Sequence, residues 1–136
     1  MISQTITTSF KQNIFQGVQD LLTDNIYMAL YTGSADLGAD TTVYTTLAET
    51  VGTGYTAGGK KCQNVTVNTS GTTVYVSFDN VVWSGASFTC RGALIYNQSQ
   101  GNKSIAVLNF GADKTATSSF TVTLPANSAD SALIRV

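Results

Sequence analysis

Beyond Ile26 the chain changes its hydrophobic period from that of a helix to that of a strand, and it keeps the second period to its end. This restricts the fold more than any composition figure, because side chains that alternate between two faces cannot form the single apolar stripe of a helix. Ile26-Tyr27-Met28-Ala29-Leu30-Tyr31 is apolar at every position, which predicts a strand covered on both faces. Val65 and Val67 alternate with Thr66 and Asn68, and Asn68-Thr69-Ser70-Gly71 turns the chain into Val74-Tyr75-Val76-Ser77-Phe78, giving a hairpin. Val81-Val82-Trp83 follows between Asp79-Asn80 and Ser84-Gly85. Phe88, Cys90, Leu94 and Tyr96 are expected on one face of the next strand, with Arg91, Ala93 and Ile95 on the other. Residues 97–102 turn it into a strand over 105–110, a second hairpin. A polar connection over 111–118 leads to Phe120, Val122 and Leu124, which alternate with threonines until Pro125, and residues 132–136 end the chain. Turn-bounded strands at this spacing predict a mainly β domain, an antiparallel β-sandwich or barrel.

Ahead of the strands, Ser9 and Gln12 form a capping-box pattern, and Phe10, Ile14, Val18, Leu21 and Leu22 recur at helical spacing. The spacing predicts one amphipathic helix over residues 9–23. Its apolar stripe has to be buried; its own sheet is the expected cover, a neighbouring subunit the alternative. At 136 residues the chain is one domain, 1–136, large enough to bury a core without metal or disulfide. It divides into the helix, a long Thr- and Gly-rich loop over 33–61, and antiparallel strands over 62–136.

That loop contains the strongest motif in the chain. Gly54, Gly59 and Lys60 fit the G-x-x-x-x-G-K pattern of a phosphate-binding loop, and Gly52, Gly54 and Ala57 fit a dinucleotide fingerprint. Lys61 stands where a magnesium-holding hydroxyl is required. The flanks also disagree: residues 45–50 are too polar for a central parallel strand, and 62–67 read as a strand rather than the helix whose N-terminus would hold a phosphate. The glycines therefore predict a permissive connection and no cofactor. A connection of about twenty residues, such as 42–61 within this loop, is usually functional or disordered, and a functional one is expected here.

Charged residues make up 11% of the chain against roughly 25% in an ordinary soluble domain, while Thr and Ser supply about a quarter. Such a surface suits protein contact, since few charges need desolvation. A formal net charge of −1 leaves no basic footprint for nucleic acid. Residues 1–10 carry neither a basic n-region nor an apolar core, and no apolar run is long enough to span a membrane, so synthesis in a cytoplasm is expected. Cys62 and Cys90 lack metal-ligand spacing and read as buried thiols, with a disulfide as the alternative. Without any His there is no Ser-His or Cys-His pair and no ordinary zinc site. Glu49, the only Glu, has Asp36, Asp40 and Asp79 as conceivable carboxylate partners, but no spacing requires a glycosidase pair, and Asp36 and Asp40 form no regular calcium series. The expectation is a protein that is not an enzyme.

Arg91, mid-strand, calls for a partner, and Glu49 is the expected one, pinning the loop to the sheet; the alternative is an exposed Arg lying along the sheet on its stem. Tyr44 and Tyr55 are either contact residues or aromatic anchors of the loop. With Lys60 and Lys61, these four complete the candidate contact and anchor residues.

Residues 49–60, Glu-Thr-Val-Gly-Thr-Gly-Tyr-Thr-Ala-Gly-Gly-Lys, then Trp83, then Arg91-Gly92-Ala93-Leu94-Ile95-Tyr96-Asn97, then Val107-Leu108-Asn109-Phe110-Gly111, resemble a family of small proteins encoded by tailed bacteriophages. The resemblance runs over about residues 26–136. It implies a structural component of a virion, assembled after synthesis in the bacterial cytoplasm, and carries no catalytic residues. A capsid decoration, or cement, protein bound to the major capsid protein is the first expectation, as a symmetric homo-oligomer with a trimer favoured. A tail, baseplate or fibre-associated adaptor is the alternative. A carbohydrate-binding module using Tyr44, Tyr55 or Trp83 as stacking platforms comes third.

Overall fold

The computed structural model describes residues 1–136. Strand β1 is Thr5–Ile6, the only α-helix, α1, is Thr8–Phe15, and β2 is Ile26–Tyr31. After the long loop come β3, Lys60–Lys61, then β4, Thr66–Ser70, β5, Thr73–Ser77, and β6, Val81–Ser84. The last four are β7, Phe88–Asn97, β8, Lys103–Ala116, β9, Ser119–Val122, and β10, Ile134–Arg135. The five-stranded sheet has the order β1-β8-β7-β2-β3; a three-stranded sheet β10-β5-β4 and a two-stranded sheet β6-β9 complete the set, and every ladder is antiparallel. The chain is thus mainly β, as its period predicts.

The two smaller sheets lie against one face of the large one. Met28 and Leu30 of β2, Ala93 and Ile95 of β7 and Leu108 of β8 share a core with Val76 of β5, Trp83 of β6, Val122 of β9 and Ile134 of β10. The other face presents Ala29, Tyr31, Leu94, Tyr96 and Val107, and it is covered by Ile2 and by Ala35 and Leu37 of the loop. That second cover explains why β2 has no polar face: both of its sides are dry.

The long strands of the central hairpin do not keep one register. Pairing steps from Cys90↔Lys114 to Gly92↔Asn109, and again from Ile95↔Ala106 to Tyr96↔Ser104. The first break corrects the expected faces. Phe88 and Cys90 lie in the same core as Ala93 and Ile95, whereas Leu94 and Tyr96 point to the opposite side. Across the break β7 spends one residue, Arg91, while β8 spends four, 110–113, and beyond it the faces of β7 are inverted. The expected polar connection over 111–118 is also mostly strand: β8 runs on to Ala116 and pairs Thr115 with Thr89. Its residues read as loop because they are exposed.

The helix is shorter than the predicted 9–23 and begins earlier. Thr7, not Ser9, is the cap, its hydroxyl accepting the Phe10 N–H at 3.3 Å. Gly17, at φ +69°, follows the last turn in the left-handed conformation that ends helices. Residues 20–24 then form a turn in which Asp24 accepts the Asp20 N–H and Asp20 accepts the Leu22 N–H, the competition by which Asp disfavours a helix interior. Phe10 is buried in the main core and Ile14 packs against it, so the helix does cover its own sheet, while Phe15 at its end stays outside. Cys62 and Cys90 are free, buried thiols, each pushed up to about 12 by burial.

Candidate functional site

The loop after β2 is organised around Glu49, which is only 8% exposed. Tyr44 donates its hydroxyl to Oε1 at 2.7 Å, while Tyr55 and the Gly58 N–H both donate to Oε2, the latter at 2.8 Å. Tyr55 also accepts the Leu30 N–H at 3.0 Å, Tyr31 donates to the Thr45 carbonyl at 2.6 Å, and Tyr96 donates to the Gly58 carbonyl at 2.6 Å. The Tyr44 and Tyr96 rings stack at 4.8 Å. Four phenols and one carboxylate thus bind both halves of the loop to β2 and β7.

Glu49 has no basic partner. The two ion pairs in the structure join Arg91 to Asp113 and the N-terminal ammonium to Asp36. This corrects the expected pairing of Arg91 with Glu49. Arg91 sits in the bulge, where it reaches Asp113 Oδ1 at 3.3 Å and the Gly111 carbonyl at 3.4 Å on the neighbouring strand. A buried carboxylate needs donors more than it needs a charge, and two phenols with one amide supply them. Glu49 is held by tyrosines and a loop amide in place of Arg91.

The same geometry fixes the electrostatics. Burial, and next the hydrogen bond to Glu49, hold the Tyr44 and Tyr55 phenols far above the ordinary tyrosine range. Burial also raises Tyr31, and burial followed by the Glu49 charge pushes Tyr96 up to about 12. Phenols so disfavoured as phenolates are poor bases and nucleophiles at neutral pH, and every Glu49 oxygen is already occupied. The cluster therefore holds a shape. No three His, Cys, Asp or Glu side chains come together as metal ligands.

The glycines serve this packing. Gly54, at φ +85°, brings the loop so near the 84–87 turn that a Cβ would lie 2.6 Å from the Gly85 carbonyl oxygen. Gly59, at φ +79°, lies directly over Met28, and a Cβ there would collide with the Met28 carbonyl. Lys60 and Lys61 are exposed and pair with Met28 and Tyr27 as β3, which shortens the predicted 33–61 loop; Lys60 Nζ donates to the Val82 carbonyl at 2.7 Å. No helix follows the glycines. Trp83 is buried, with Tyr55 stacked on it and Phe120 tilted against it, where no sugar reaches it.

Two features escaped the sequence reading. On either side of buried Glu49, Leu47 and Val51 are 79% and 90% exposed, aliphatic side chains held outward by a fixed backbone. Tyr31 and Tyr96 belong to the Glu49 cluster although they read as strand residues; the one signal was the count of six tyrosines beside a single Glu. A separate apolar groove of about 390 Å³ opens between α1 and the β10-β5-β4 sheet, and a second of about 260 Å³ adjoins it at the end of α1. No helix is long and apolar enough to cross a membrane. Comparison with protein-family models, with curated proteins and with solved structures finds no match for this chain.

Proposed function

We propose that this chain is a non-enzymatic structural protein of a tailed-phage virion, and within the particle a decoration protein on the outer capsid lattice. The phage resemblance of residues 26–136 supports the virion reading. The observation that carries a contact role is the pair Leu47 and Val51, held out by the Glu49 cluster on a surface with few charges. Exposed apolar residues on a braced loop lose little conformational freedom on binding, which is the condition for many weak, identical contacts across a lattice. Charge-poor surroundings keep the desolvation cost low.

The test uses purified shells with and without the protein. Shells carrying it should resist heat and pressure better, and Leu47→Asp with Val51→Asp should abolish co-sedimentation with the shells while the isolated protein keeps its melting temperature. Equal resistance of both kinds of shell rejects the cementing role. Copy number in intact particles separates the neighbouring reading: an amount proportional to the major capsid protein fits decoration, and a handful of copies places the chain at the tail.

A further inference from the structure

Helix α1 buries Phe10 and packs Ile14 against the same core, and leaves Phe15 outside it. Phe15, at its end, is 86% exposed, and the two grooves on its flank share Phe10, Ile14 and Val136 as a common floor. The grooves are not equivalent in charge. Lys11 and Arg135 line the one beside Phe15, and Asp20 lines the one against β4 and β5. The two grooves thus adjoin through Phe10, Ile14 and Val136, one with Lys11 and Arg135 beside the protruding Phe15 and the other with Asp20.

We propose that this face binds a second copy of the chain about a two-fold axis near Ile14 and Val136. In a two-fold contact each residue meets the one opposite it in reciprocal fashion, so one arrangement satisfies the face twice. The basic end of one copy then faces Asp20 of the other, and each Phe15 enters the groove of its partner. A buried aromatic in a pocket is the usual energetic centre of such contacts, and the opposed charges set the direction in which the copies meet. A generic apolar peptide would use the groove but not the charge order. The pairing stands independently of the virion reading, and it replaces the three-fold cluster expected from the sequence with a dimer.

Sedimentation equilibrium of the purified full chain across the micromolar range tests it. Wild-type protein should show twice the monomer mass. Phe15→Asp, at a position exposed in the monomer, should weaken dimerisation by at least about tenfold with an unchanged far-ultraviolet spectrum. Asp20→Lys alone should weaken it, and Asp20→Lys combined with Lys11→Glu should restore it by reversing the charge order. A monomer at all concentrations, a trimer, a dimer indifferent to Phe15, or failure of the charge-reversed pair to recover overturns the proposal. A monomer that takes up an amphipathic capsid-protein helix in this groove overturns it equally, and assigns the face to that partner.

Discussion

Tyr55 and Glu49, six residues apart in the loop, are joined by a hydrogen bond that also reaches the sheet, because the same Tyr55 hydroxyl accepts the Leu30 N–H. One phenol thereby serves as the hinge pin between a connection of low sequence regularity and the most buried strand. Removing it leaves two partners short at once.

Tyr55→Phe should accordingly destabilise the fold by about 1–3 kcal/mol in urea denaturation, the cost of leaving a buried donor and a carboxylate oxygen less satisfied. Glu49→Ala should cost more, about 2–4 kcal/mol, since two hydroxyls and the Gly58 N–H lose their acceptor together. Glu49→Gln should not rescue it fully, because the amide nitrogen would meet a donor on whichever side it turned. Equal stability of Glu49→Ala and wild type would refute the anchoring role.

The phenols set an alkaline limit. Tyr31, Tyr44, Tyr55 and Tyr96 all have folded-state values raised above the ordinary value of 10, by burial first. A group raised on folding stabilises fully below its unfolded value and loses that contribution as pH rises toward the folded one. The melting temperature should therefore fall from about pH 10 upward. Absorbance at the phenolate band should show these four tyrosines ionising with unfolding rather than before it. Ionisation of all four in a still-folded protein would contradict the packing.

Arg91 and Asp113 are 41% and 63% exposed, so their ion pair is worth little. Arg91→Ala should change stability by under about 1 kcal/mol. A double-mutant cycle of Arg91 with Glu49 should give no coupling, while the Arg91–Asp113 cycle gives a small, salt-sensitive one.

Gly59→Ala joins two penalties, a left-handed backbone and a collision with the Met28 carbonyl. It should destabilise by at least about 2 kcal/mol, measured against Gly71→Ala, where a Cβ meets nothing within 4 Å.

The strands were legible wherever burial wrote a period into the residues. β2 and the β7–β8 hairpin fall where the sequence predicts them because one or both faces are covered, and the β4–β5 hairpin, with β4 itself exposed, falls there on its valine alternation and its turn at Gly71. The faces beyond Arg91 were not legible, since nothing in the residues marks the break at which β8 spends four residues against one of β7. The helix end misread Val18, Leu21 and Leu22 as a continued stripe, although Gly17 and the two aspartates stood against it. In the loop, Glu49 and the two tyrosines that bond it, Tyr44 and Tyr55, stood out in the sequence, but Tyr96 and Tyr31 did not: they lie on strands, and only tertiary closure brings them to Gly58 and Thr45.

Strand β1 pairs Thr5 with Val107, and the Thr7 N–H is accepted by the Ile105 carbonyl at 3.0 Å. Strand β1 and helix α1 therefore have no seat until β8 has joined β7. Local hairpins can form early, whereas closing a loop of that span is slow. Hydrogen-exchange pulse labelling during refolding should protect the β4–β5 and β7–β8 amides before those of Thr7 and Phe10. Helix α1 should then dock last, and the groove it borders should come into being only when the rest of the described fold has formed.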